Sequence, residues 1–138
     1  IPLRRADVPS LALADSDGTD VFILWSTGHG EGFAIARVTP TGELIATATV
    51  TGSGARDLVV SDDLVLVLLD DGVVAVLDAG TLDEVGRVDV HMDASGVVDP
   101  RLAATPGGGV VAWYGPSGAG AARRTFLARI ACEFTYGE

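Results

Sequence analysis

No lysine, asparagine or glutamine occurs in the 138 residues, and all nine basic side chains are arginine. Without asparagine there is no N-glycosylation acceptor. The bias suggests a GC-rich genome with some salt adaptation and carries no catalytic message. Against the nine arginines stand 19 acidic residues, a net charge of −10. That argues against nucleic acid and anionic membrane surfaces, where phosphate would be repelled. The single cysteine, Cys132, has no partner for an internal disulfide. A small buried apolar side chain is its simplest role; a partner thiol on another segment or chain is the alternative. A catalytic role would need a histidine brought to it by the fold. No apolar run approaches the ~18 residues of a membrane helix; the longest, Leu64 to Leu69, is strand-sized. The opening stretch "IPLRRADVPS" lacks both an initiator Met and a signal peptide's apolar segment, so the chain is expected to begin as a processed or excised piece.

What is abundant is apolar surface, 48% of residues with a mean hydropathy of +0.39. One domain over residues 1–138 with a real core is expected. Apolar runs of strand length alternate with Gly, Asp, Thr and Pro clusters throughout, the pattern of a β-meander. Self-comparison adds a repeat: Ile23, Val67 and Val111 are spaced by 44 residues, as are Trp25, Leu69 and Trp113. A period of about 40–50 residues is that of a four-stranded propeller blade.

Naming the strands a to d from the innermost outwards, strand a is 10–14, 57–61 and 101–105. Strand b is the apolar run of each unit; strand c is 32–38, 73–79 and 125–134; strand d is 43–50 and 84–90. The b runs are apolar on both faces, as strands between neighbouring blades must be. The segment 125–134 also allows helical spacing, with Leu127, Ile130, Ala131 and Phe134 on one face, but the repeat favours a strand. The fold expected is therefore all-β, with about three blades at 9–50, 55–90 and 100–134. Residues 1–8 stand in sequence where an outer d strand belongs and are expected to complete the third blade. Propellers close with about 4 to 8 blades. The chain is thus expected either to form a six-bladed ring by dimerisation or to be part of a larger propeller.

The stretch "PSLALADSDGTDVFILWS…GFAIARVTPTGELI" resembles the repeats of secreted bacterial β-propellers. The matching residues are Pro9, Leu11, Ala12, Asp17, Gly18, Trp25, Ala36, Arg37, Val38, Pro40 and Gly42. The third unit repeats part of the pattern with Pro100, Leu102, Ala103, Gly108, Trp113, Ala128, Arg129 and Ile130. The middle unit is more similar to YVTN and quinoprotein-like repeats, with Asp78 and Thr81 at its c–d turn. The resemblance implies an extracytoplasmic bacterial setting, periplasmic, cell-surface or secreted. Its motifs specify turns and buried strands, and such folds host many functions. Nothing matches the catalytic residues of quinoprotein dehydrogenases.

Alternating strand direction sends the b–c and d–a connections to one rim and the a–b and c–d turns to the other. The first rim carries both histidines, with His29 beside Glu31 and His91 beside Asp93. These four are the candidate binding residues, because His-x-Glu and His-x-Asp could supply metal ligands; solvated loop residues are the plain alternative. Arg123 and Arg124, expected in a loop there, could hold an anion, or simply aid solubility. On the second rim "DSDGTD" places Asp15, Asp17 and Asp20 around Gly18. Calcium takes six to eight oxygens, and these three carboxylates are its candidate ligands. The alternative is a hairpin turn, since Asp and Gly are also what tight turns require. The pattern falls short of a full EF-hand loop, and the sister turns "SDD" and "TPGGG" do not repeat the carboxylates.

No catalytic residue is assigned. The function expected is a non-enzymatic scaffold presenting rim loops to a protein or glycan. The alternative is a subunit of an enzyme whose funnel forms only in the assembled ring. No cofactor is expected; the hairpin turn is the better reading of those aspartates, with calcium kept as the candidate ion. The expected partner is a second copy, giving a homodimer, or another propeller-containing chain, with no nucleic acid and no membrane insertion.

Overall fold

Short runs rich in Val, Leu and Ile, punctuated by Gly and Asp turns, favour strands, and strands are what the chain forms. The computed structural model describes residues 12–26, 32–52, 54–92, 98–116 and 123–131, and all its regular structure there is β. Sheet 1 runs β1 (Ala12–Ser16), β2 (Val21–Ser26), β3 (Phe33–Val38), β4 (Leu44–Val50). Sheet 2 runs β5 (Ala55–Ser61), β6 (Leu64–Leu69), β7 (Val73–Asp78), β8 (Glu84–Asp89). Sheet 3 contains β9 (Val98–Thr105), β10 (Gly108–Pro116) and β11 (Arg123–Ala131), with β10 in the middle. Neighbours in each sheet are antiparallel. The three sheets are the expected blades. The outer strand assigned to residues 1–8 lies outside the described residues, as does Cys132.

The register turns the repeat into a packing rule. Phe22 pairs with Arg37, Leu66 with Val76 and Val110 with Arg129, each 44 residues on along the b strand. One face of each sheet therefore carries equivalent residues, and we call it the forward face. In sheet 1 it holds Phe22, Leu24 and Ile35, all fully buried against sheet 2. In sheet 2 it holds Leu66, Leu68, Val74 and Val76, buried against Leu102, Val111 and Ile130 of sheet 3. The opposite, back face of sheet 2, with Val65, Val67, Leu69 and Ala75, closes the first core. All six residues of β6 are buried as a result. That is why its sequence is an unbroken apolar run: both faces meet protein. Each such Leu or Val contributes roughly 1.5–3 kcal/mol of burial.

Between sheets 2 and 3 the fit is close at Gly109, on the back face of sheet 3. A Cβ there would stand 2.7 Å from Leu66 Cδ1 and 3.0 Å from the Ala103 carbonyl oxygen. Beyond it, Trp113 stacks on its cross-strand partner Phe126, with ring centroids 5.5 Å apart. The segment 123–131 is a strand, as the repeat required, and its helical spacing plays no part.

Most strand ends differ from the sequence reading by a residue or two; three differences bear on named residues or loops. The first a strand extends to Ser16, which pairs with Val21, so Asp15 belongs to the strand and not to the turn. Strand β9 begins at Val98, inside the expected loop 91–100, with a register shift between Ala112 and Tyr114 admitting the extra length. Arg123 and Arg124 pair with Pro116 and Gly115 at the start of β11, so they are strand residues and not the loop pair expected.

Candidate functional site

The second rim, where the a–b and c–d turns lie, shows where the three aspartates of "DSDGTD" go. Asp17 Oδ1 accepts the N–H groups of Thr19 and Asp20, at 2.8 and 2.7 Å. Ser16 Oγ accepts from Gly18 N–H and donates to the Asp20 carbonyl. This is a self-satisfied Asx turn, in which Gly18 adopts a positive φ of 95° at no Cβ cost. Those N–H bonds, chiefly that from Asp20, and then the Arg37 charge hold the Asp17 carboxyl below its usual range. Asp20 is buried, and its Oδ2 accepts both Nε and Nη2 of Arg37, at 2.8 and 2.7 Å. Asp15 looks elsewhere: its Oδ2 accepts Val60 N–H of sheet 2 at 2.8 Å. The structure thus brings Asp17 and Asp20 to one arginine and sends Asp15 to the next sheet. Among the described residues no group of three His, Cys, Asp or Glu side chains is placed to hold a metal ion.

Asp15 is one of a set. Asp57 Oδ2 accepts Leu102 N–H, and Asp62 Oδ2 accepts Gly107 N–H, both at 2.8 Å. Each of the three carboxylates reaches 45 residues forward, one repeat plus one, from the innermost part of one sheet to that of the next. Ser61, buried at the same seam, donates from Oγ to the Thr105 carbonyl and accepts from Gly108 N–H. Innermost strands are edge strands whose outward N–H groups lack a ladder partner, and the carboxylates supply one. From sequence, Asp15 and Asp62 read as turn residues and Asp57 as the first residue of an a strand; the 45-residue interval between each aspartate and its partner is the available signal.

Arg37 makes the outer link at this rim. Besides Asp20, its Nη1 donates to the Ala79 carbonyl of sheet 2 at 2.9 Å, and its guanidinium lies over Phe22, 5.4 Å from the ring centroid. Ala79 sits in the c–d turn of sheet 2, which Asp78 organises by accepting Gly80 and Thr81 N–H. Those bonds, Thr81 first, keep the Asp78 carboxyl below its ordinary value. The turn ends on Leu82, which holds a left-handed φ of 64° with its side chain buried in the first core. The strain, roughly 1–3 kcal/mol, is offset by burying a leucine, roughly 1.5–3 kcal/mol.

On the first rim the described connections are tied down. Arg56 Nε meets Asp70 Oδ1 at 2.6 Å, Asp70 N–H donates to the Gly54 carbonyl, and Arg87 Nη2 donates to the Thr51 carbonyl in the connection between β4 and β5. His91 is exposed at a left-handed φ of 52°, its N–H on Asp89 Oδ1 and its Nδ1 3.7 Å from that oxygen. His29, Glu31 and Asp93 lie outside the described residues, so of the four candidate binding residues the structure places His91 alone.

No protein-family model matches the chain, and no curated protein matches it. Among solved structures it is similar to BamB from Moraxella catarrhalis, a β-propeller repeat protein. The two share 19% sequence identity with a TM-score of 0.56, over 78% of this chain and 32% of that chain. The chain therefore spans about a third of that relative's length. At this identity the likeness is one of fold, and it agrees with the sheet order, the 44-residue register and the seams between sheets: the chain is built of β-propeller blades.

Proposed function

We propose that the chain is a non-enzymatic, extracytoplasmic propeller scaffold that holds a protein or glycan partner on its first rim. The observation that carries this reading is the division of labour between the rims. On the second rim, carboxylates and Arg37 are spent on turns and on links between blades. The first rim has its strand ends fixed by Arg56–Asp70 and Arg87–Thr51; Asp71, exposed, accepts Val73 N–H within its turn, and His91 is exposed at the end of the last described connection. Rigid strand ends carrying exposed, variable loops are the arrangement of a binding surface. The extracytoplasmic setting rests on the resemblance of the first and third units to secreted bacterial repeats. Among the described residues no helix is long and apolar enough to cross a membrane. The partner set includes a second copy or another propeller chain as well as the rim ligand.

The test pairs variants on opposite rims. Binding to a glycan array and to cell-envelope proteins is measured for wild type, for Asp71→Ala with His91→Ala, and for Thr41→Ala with Glu43→Ala. The scaffold reading expects loss in the first pair and retention in the second. Binding lost only with the second pair, or turnover of a bound glycan by the wild type, would overturn it.

A further inference from the structure

The forward face that is buried in sheets 1 and 2 is covered in sheet 3 by no sheet among the described residues. Leu127 occupies the register position of Ile35, which is fully buried, yet Leu127 is 71% exposed. Val110 and Ala112, in the places of Phe22 and Leu24, are only half-buried. Arg129 occupies the place of Arg37 and is exposed with no partner among the described residues. In sheet 1 that arginine reaches forward to the Ala79 carbonyl of the next blade. The same reach from Arg129 requires a next blade with a carbonyl just past its c strand.

A complementary surface exists at the other end of the chain. The back face of sheet 3, which receives sheet 2, carries Val111, Trp113, Ala128 and Ile130. The back face of sheet 1 carries Ile23, Trp25, Ala36 and Val38 at the equivalent positions; Ile23 and Trp25, on its b strand, are half-buried, and Ala36 and Val38 are buried. Nearly the same side chains that accept a forward face within the chain are thus repeated where no described sheet covers them. The c–d turn behind that face also offers the needed acceptor. Thr39 N–H bonds the Glu43 carbonyl as Asp78 N–H bonds that of Asp83, so Pro40 is the counterpart of Ala79.

We propose that the forward face of sheet 3, centred on Leu127 and Arg129, docks on the back face of sheet 1 of a second copy. Arg129 then donates to the partner's Pro40 carbonyl. The contact is head-to-tail, and two copies make it twice about a two-fold axis, doubling the three sheets to a six-bladed ring. The occupant is a second copy because four positions of its back face, Ile23, Trp25, Ala36 and Val38, carry residues like those that sheet 2 already packs on, while Val21 and Ala34 stand in the places of Gly109 and Phe126 and meet the smaller Val110 and Ala112 in place of Leu66 and Leu68. The inference goes beyond the scaffold reading and stands whatever the rims bind.

Sedimentation velocity and native mass of the full chain test it. The wild type is expected at twice the 14.1 kDa chain mass. Leu127→Asp, at an exposed position, and Ile23→Asp, on the receiving face, are each expected to be monomers. Mixed in equal amounts they should form a heterodimer, because one forward face and one back face remain intact. Arg129→Ala should keep the fold by circular dichroism and weaken association at least about tenfold, the scale of one charge-assisted hydrogen bond. A wild-type monomer at micromolar concentration would overturn the second copy as occupant and point to blades on another chain. A dimer that survives both Leu127→Asp and Arg129→Ala, an open-ended size distribution, or variants that fail to complement on mixing would overturn the head-to-tail ring.

Discussion

Arg37 of the first blade and Ala79 of the second are joined by a 2.9 Å hydrogen bond from guanidinium to carbonyl, while the same guanidinium neutralises buried Asp20. One side chain therefore both compensates a charge taken out of water and fixes one blade against the next. The inner seam does the same work with opposite polarity, aspartates accepting backbone N–H groups one repeat ahead.

Arg37→Ala is expected to destabilise the chain by about 2–4 kcal/mol, since it strands the Asp20 carboxylate as well as removing the inter-blade bond. Arg37→Lys should recover only part of this, because an ammonium cannot reach Asp20 and Ala79 with a planar fork. Urea unfolding monitored by tryptophan fluorescence measures both. A loss for Arg37→Ala no larger than that of an ordinary surface arginine would contradict the assignment.

Gly109→Ala places a methyl against Leu66 Cδ1 and the Ala103 carbonyl. The expected cost is about 1–3 kcal/mol of overpacking, and Leu66→Ala in the same chain should relieve part of it. Thermal melts of the two single variants and the double variant test the coupling.

Asp17 and Asp78 have folded-state pKa values below the ordinary carboxylate range. Between those values and about pH 4, where the carboxyls titrate in the unfolded chain, the unfolded state binds more protons. Their stabilisation is therefore complete above about pH 4 and is lost as pH falls through the folded values. Asn at either position keeps an oxygen to accept the turn N–H groups. Asp17→Asn with Asp78→Asn should thus fold at neutral pH and show a shallower loss of unfolding free energy from pH 5 to 2. An unchanged slope would remove these two groups as its source.

Millimolar calcium is expected to leave the melting temperature unchanged, because Asp15, Asp17 and Asp20 serve Val60 N–H, the turn backbone and Arg37 respectively. A rise of several degrees, reversed by EDTA, would show that these carboxylates can regroup around an ion.

The blades were legible because burial leaves a mark on composition. The run at Leu64–Leu69 is apolar throughout because both its faces are covered. Strand β11 was ambiguous between two periods, and only its place in the repeat decided it. Polar links left no such mark. Asp15 reads as a turn carboxylate and Asp57 only as the start of a strand, because an aspartate bonding an N–H one repeat away has the same identity as one in water. Arg37 and Arg129 are visible as repeat positions in Ala36–Val38 and Ala128–Ile130, but what the first reaches, and the second lacks among the described residues, depends on a neighbouring blade. The candidate binding residues depend on loop geometry, which alternation does not encode. Of these, the structure locates His91.

The central claim, that successive sheets are blades laced at their inner strands by carboxylates reaching one repeat forward, is tested most directly by amide hydrogen exchange. Val60, Leu102 and Gly107 N–H donate to Asp15, Asp57 and Asp62. The account predicts slow exchange at all three in the wild type. It further predicts selective loss of protection at Val60 in Asp15→Ala, at Leu102 in Asp57→Ala and at Gly107 in Asp62→Ala. Fast exchange at these amides in the wild type, or protection indifferent to the matching substitution, would contradict it.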